Sequence, residues 1–255
     1  TTAAGLNNGF NPSSTLTGSN VITLPDTVTE LTNYANQKCN GQDAVTLQTA
    51  FALSCNTAFV EMSEQLGADE LRKYAKAFGV GENYDLGVST SAGTLGDLPD
   101  GAATAQSAIG QRDVTMTALQ AAVMAGTVAN KGTRMQPYLV NRITDAQMKD
   151  IRTTKPKKAD QAVNEDTAAT LTDLMYASER SSWGYDGNGF ASKTGTAEHG
   201  EGLAPHVWYV AFDPERDIAV GVVVKNGGNL GESATGGKVS GPIGRAILRA
   251  YQGEQ

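Results

Sequence analysis

Three short runs near the C-terminal end set the strongest constraint on how this chain can fold. Phe190 to Glu198, His206 to Phe212 and Asp217 to Lys225 read as strands, and the last two flank Asp213-Pro214-Glu215-Arg216, turn residues that mark a hairpin. The first run carries Ala191-Ser192-Lys193-Thr194-Gly195-Thr196, which sets a lysine and two threonine hydroxyls along one strand.

Upstream the periodicity is helical. Thr1 to Leu6 reads as the tail of a helix stopped by Asn7-Asn8-Gly9, residues that accept the left-handed conformation in which helices often end. Extended, turn-rich sequence runs to about Gln42, and Val45 to Leu53 reads as a buried helix that ends at Ser54-Cys55-Asn56. Thr57 to Leu66 resumes a helix capped by Gly67, and Leu71, Tyr74, Ala75 and Phe78 form the apolar face of the next. Gly79 to Asp113 has little periodicity and reads as one long loop. Helix returns at Thr115 and lasts to Asn130-Lys131-Gly132; Met135 to Ile143 reads as a strand; Lys149 to Lys158, with four lysines, reads as an exposed connection. Glu165 to Ser178 is amphipathic, Asn226 to Gly237 is a glycine-rich loop, and Pro242 to Tyr251 is a closing helix.

At 255 residues and 40% hydrophobic content the chain can bury a core as one large domain, or a domain with a satellite. Its formal net charge is −7 with scattered Lys and Arg, which argues against nucleic acid as a partner. The most apolar stretch, Ala118 to Ala129, is interrupted by Gln120 and Thr127 and is shorter than the ~20 residues that span a bilayer. Cys39 and Cys55 lie far from His199 and His206, without the paired spacing of a zinc site. They are either two unrelated buried thiols or, if the protein works outside the cytoplasm, a disulfide worth ~3 kcal/mol by chain entropy.

The Lys-Thr-Gly-Thr run and the Ser-x-Asn of Ser54 and Asn56 are two of the three parts of a serine acyl-transfer site. The third, a Ser-x-x-Lys bearing the nucleophile, occurs nowhere between Thr1 and Gln255. A serine that attacks an amide must lose its proton, and a desolvated lysine nearby has its pKa lowered enough to help. In such a site Lys193 supplies positive charge beside the reacting carbonyl, Ser54 passes a proton, and Asn56 grips a peptide backbone through its amide. Thr194 and Thr196 lie on the strand face opposite Gly195, where their hydroxyls can hold a carboxylate and Gly195 leaves room behind, with substrate added as a further strand. Each motif alone is weak, because Ser-x-Asn is common in caps and turns and Lys-Thr-Gly needs no catalytic explanation. Their joint order and local setting carry the reading.

Two other features are set aside. Gly231 to Val239 has a phosphate-loop look, but its glycine-to-lysine spacing is off by one and Val239 stands where Ser or Thr is needed. His199 lies in a polar Glu198-His199-Gly200-Glu201-Gly202 loop and reads as a solvated histidine, not a general base.

With these motifs in place, the chain resembles the transpeptidase domain of class B penicillin-binding proteins, in particular the actinobacterial A type, nearly end to end. Ala108-Ile109-Gly110-Gln111, Val114 to Gln120, Ala129-Asn130-Lys131-Gly132, Val207 to Phe212 and Gly236-Gly237 ahead of Pro242 look familial. The resemblance implies an α+β penicillin-binding/serine β-lactamase-like fold, an antiparallel five-stranded sheet covered by helices plus a helical subdomain. Residues 1–255 would be one transpeptidase domain lacking its N-terminal part, the helical subdomain roughly 10–135 and the sheet subdomain roughly 136–255. Two strands and the Ser-x-x-Lys would precede Thr1, in a segment expected to be physically present elsewhere.

The implied reaction cross-links peptidoglycan. The serine attacks the penultimate D-alanine carbonyl of a stem peptide, D-alanine leaves, and an amine of a second stem resolves the acyl-enzyme. The implied oxyanion donors are the N–H groups of that serine and of Thr196, and no cofactor or metal is required. Stem peptides, β-lactams and the missing N-terminal segment are the expected partners, with division or elongation proteins as further candidates. The expected location is the outer face of the bacterial cell membrane, with an anchor upstream. A class D-like β-lactamase and a non-catalytic sensor or scaffold on the same fold are the competing readings.

Overall fold

The computed structural model describes residues 1–253. Helix α1 (Thr2–Asn7) lies in the main core with Ala3 and Ala4 buried. Its small residues permit close approach: a Cβ on Gly5 would stand 2.8 Å from Met62 Sδ. Two small antiparallel pairs follow, β1 (Thr15–Thr17) with β4 (Ala44–Thr46) and β2 (Val21–Thr23) with β3 (Glu30–Thr32). The helix expected from Val45 starts at Leu47, because Val45 pairs with Leu16 and Thr46 caps α2 (Leu47–Leu53), its hydroxyl accepting from Thr49 N–H at 3.2 Å. Helix α3 (Asn56–Ala77) is interrupted at Gly67, whose φ of +75° takes the chain out of helical geometry as a glycine cap should.

Two expectations are corrected here. The stretch Gly79 to Asp113 is not one long loop, since Gly101–Ala108 form helix α4. The sequence Gly-Ala-Ala-Thr-Ala-Gln-Ser-Ala has no large apolar residue to reveal a period. The helix is fixed instead by Asp100, which accepts from Ala103 N–H at 2.7 Å, and by burial of Ala103, Thr104, Ala105 and Ser107. Nor is Met135 to Ile143 one strand. β5 (Thr133–Met135) pairs with β8 (Lys158–Gln161), and β6 (Arg142–Thr144) pairs with β7 (Asp150–Thr153). Pro137, with no N–H for a ladder, lies in the gap. The connection Lys149 to Lys158 thus holds a strand, though all of β7 is exposed.

Helix α5 (Ala118–Ala129) begins three residues later than the periodicity suggests, because Thr117 and Gln120 form a reciprocal capping box. α6 (Glu165–Ser181) is followed by the three expected strands, β9 (Ala191–Ala197), β10 (His206–Asp213) and β11 (Ile218–Val224), antiparallel in the order β11-β10-β9. α5 crosses one face of this sheet, and α7 (Ser240–Gly253) crosses the other, where a Cβ on Gly244 would stand 2.2 Å from the Tyr209 ring. Helix α6 packs on both α2 and β9, burying Leu171, Leu174 and Met175 with Ala50 and Phe51. That shared neighbour brings the end of α2 to the border of the sheet.

Candidate active site

Ser54 closes α2 in the left-handed region, with φ +58° and ψ +48°. For a residue with a Cβ this is a sparsely populated conformation that persists only where neighbours enforce it. They do so from one side. Cys55 is disulfide-bonded to Cys39; Asn56 Nδ2 donates to the Thr32 carbonyl at 3.0 Å; Thr57 N–H donates to Asn33 Oδ1 at 3.0 Å. Asn33, buried, in turn donates to the Ser19 carbonyl at 2.9 Å. The segment around Thr32 to Cys39 therefore holds the Ser-x-Asn tripeptide, and part of the amide expected to grip substrate is engaged with the protein's own backbone. Cys39→Ser is expected to lower the unfolding free energy by ~3 kcal/mol, measured by urea unfolding without reductant; an unchanged midpoint would show that the bond adds nothing.

Lys193, on β9, donates from Nζ to Ser54 Oγ, a contact between residues 139 positions apart, and to the Thr194 carbonyl at 2.9 Å. The Phe51 ring centroid lies 5.8 Å from the ammonium. Among the described residues no carboxylate pairs with Lys193. As a residue it remains partly exposed, but the protein packed around its head removes water from the charge and lowers its pKa to about 8.

Thr194 pairs with Tyr209 and Thr196 with Val207, so both threonines lie on the face opposite Gly195. Thr196 is exposed, and its Oγ1 accepts from Gly236 N–H at 3.4 Å. Behind Gly195 stands Trp208. A Cβ there would meet Trp208 Cβ at 3.3 Å, and Gly236 presses so near that its own added Cβ would stand 2.7 Å from the Gly195 carbonyl. Glycine at 236 therefore permits the close approach of the two backbones.

Ser54 and Lys193 thus meet, with Asn56 beside Ser54 and Thr194, Gly195 and Thr196 running on from Lys193 along an edge strand. His199 is exposed, its Nε2 lies 2.9 Å from the Ala204 carbonyl, and its ring stacks on His206 with centroids 4.0 Å apart. Two shallow surface depressions, around Pro25, Ser63 and Thr104 and around Arg72, Val80 and Gly96, hold none of the motif residues. Asn33 escaped the sequence reading, as did the place of Phe51 beside the Lys193 ammonium. Gly236 carries a signal in the sequence, as part of Gly236-Gly237 ahead of Pro242.

The family model for the penicillin-binding protein transpeptidase domain matches residues 1–249. The chain is 44% identical over 259 residues to the peptidoglycan D,D-transpeptidase PbpA of Mycolicibacterium smegmatis, covering 98% of this chain and 52% of that protein. It is 41% identical to PbpA of Mycobacterium tuberculosis, covering 100% and 54%. The fold superposes with a TM-score of 0.93 on a ceftriaxone acyl-enzyme complex of penicillin-binding protein A from M. tuberculosis, at 41% identity over 98% of this chain and 58% of that one. The chain spans about half the length of the curated relatives it matches. Sequence, superposition and the arrangement of its motifs agree, and the chain belongs to the penicillin-binding protein transpeptidase domain family.

Proposed function

We propose that this chain supplies the Ser-x-Asn and Lys-Thr-Gly elements of a peptidoglycan D,D-transpeptidase whose attacking serine comes from polypeptide outside these 255 residues. The observation that carries the reading is the hydrogen bond from Lys193 to Ser54, which joins two distant motifs into one charged, partly desolvated centre. The names of the PbpA relatives, and the β-lactam adducts of the M. tuberculosis protein, point the same way.

On this reading a stem peptide lies along the open edge of β9 as an added strand. Thr194 and Thr196 hold its terminal carboxylate, Asn56 positions its backbone, and the Thr196 N–H shares the developing oxyanion with the attacking serine's own N–H. Such donors are worth roughly 3–4 kcal/mol each. Ser54, bonded to Lys193, relays the proton to the leaving D-alanine. β-Lactams acylate the same serine. The domain division proposed is a helical part over roughly residues 10–135 and a sheet part over roughly 136–255, with two further strands from outside the chain pairing on β11, whose outer edge has no partner among the described residues. The Cys39–Cys55 bond suits an extracytoplasmic site of action. No described helix is long and apolar enough to cross a membrane.

The test is acylation of the full-length protein by fluorescent penicillin. An adduct lasting minutes to hours supports a transpeptidase, rapid turnover a β-lactamase, and no adduct a scaffold. The rate should also depend on pH with a defined sign. Below about 8 Lys193 carries its charge, and above that value it loses it. Acylation is therefore expected to fall as pH rises through about 8, and Lys193→Arg, which stays charged, should be slower but lack this alkaline limb. A wild-type rate flat to pH 10 would remove the ammonium from the mechanism.

A further inference from the structure

The inner face of β9 is tied down by one carboxylate. Glu179, near the end of α6, is 1% exposed and accepts hydrogen bonds from donors in four places. These are Ser192 Oγ on β9, Tyr209 Oη on β10 at 3.0 Å, Asn188 Nδ2 in the α6–β9 connection at 2.9 Å, and Arg245 Nε on α7 at 2.6 Å. Arg245, 2% exposed, also donates from Nη1 to the Trp183 carbonyl at 3.0 Å. Burial alone would raise the Glu179 pKa, but the hydrogen bonds from Arg245, Ser192 and Asn188 outweigh it and hold the carboxyl below its ordinary range. The carboxylate stays charged and fully engaged.

Ser192 is the residue before Lys193. Side chains alternate along a strand, so a Ser192 held on the α7 side of the sheet sends Lys193 to the opposite face, toward Ser54, and a slip of one residue against β10 would exchange the two faces. Resting on the acyl-transfer reading above, we propose that Glu179, paired with Arg245, is a positioning residue for that reaction: it grips Ser192 and so sets the register and height of β9 at which Lys193 meets Ser54. A network that served stability alone would act through all its donors alike. A positioning device acts through the one donor on the strand that carries the lysine.

The experiment compares pH profiles of acylation by fluorescent penicillin for the full-length protein, Ser192→Ala and Tyr209→Phe. Ser192→Ala is expected to slow acylation at pH 7 by about tenfold to a hundredfold, the range for a small misplacement of a reacting group. It should also move the alkaline limb upward from about 8 toward lysine's ordinary 10.5, as a loosened ammonium regains water. Tyr209→Phe removes a donor on β10 and should leave the limb in place. An unmoved limb in Ser192→Ala, or an equal movement in Tyr209→Phe, would overturn the proposal. Should Ser192→Ala not fold, Glu179→Gln combined with Arg245→Gln carries the same comparison, and failure of both to fold makes the network structural and ends the idea. A wild-type protein that takes no penicillin would sink the acyl-transfer reading itself, an outcome distinct from a normal wild type with unaffected variants.

Discussion

Lys193→Ala in the full-length protein is expected to slow acylation by fluorescent penicillin by about a thousandfold, the upper end for loss of a positioned group that stabilises transition-state charge. The fold should survive, for a reason visible in the charge's surroundings. The ammonium has lost water without gaining a carboxylate, which is why its pKa falls to about 8 from 10.5. Such a group costs the native state stability at neutral pH, and its removal should leave the melting temperature unchanged or higher. The sign follows from linkage: between about 8 and 10.5 the unfolded chain holds the proton that the folded chain has released, so stability from this group rises with pH over that window. Ser54→Ala should act in the same direction but less strongly, since it removes the relay and leaves the charge. Acylation at the wild-type rate in Lys193→Ala, with the protein folded by thermal melt, would exclude Lys193 from the chemistry.

What could be read from the chain in advance follows the physics of each element. The strands β9 to β11 were legible because β-branched and aromatic residues concentrate there and a turn cluster separates two of them. The motif residues were legible because Lys-Thr-Gly falls on a strand and Ser-x-Asn on a break between helices. Helix α4 was not, since a helix of Ala, Gly, Thr and Ser has no apolar stripe and its stability comes from a cap and from close packing. Asn33 stayed hidden because its role depends on the chain folding back 24 residues to reach Thr57. Glu179 could have been noticed. It lies four residues beyond Met175 and eight beyond Leu171, inside the buried stripe of α6, and a charge on a buried stripe needs a partner. Its partner, Arg245, is 66 residues away on α7, and nothing in the local pattern pairs them.

The packing of α5 on the sheet rests on one missing side chain, and Gly221→Ala is expected to lower the unfolding free energy by about 3 kcal/mol, the upper part of the usual overpacking range. Gly221 sits on β11 opposite Val210 in ordinary extended backbone, so conformational freedom is not why glycine is there, and alanine alone would suit a strand better. The obstacle is steric. A Cβ at 221 would lie 2.4 Å from the Ala118 carbonyl oxygen and 2.7 Å from Ala122 N, both backbone atoms in the first turns of α5. No rotamer change can relieve that, so the start of the helix must lift off the sheet, and the Thr117–Gln120 capping box that fixes it would be strained with it. Gly126 supplies the internal control. It lies on the same helix, and its added Cβ would meet only Ala219 Cβ at 3.7 Å, an ordinary contact. Gly126→Ala should therefore gain stability, by roughly 0.5–1 kcal/mol of helix propensity. Urea unfolding of the two variants beside wild type should move the midpoint in opposite directions; a shift of the same sign and size in both would mean that α5 does not rest on β11 as closely as these distances require.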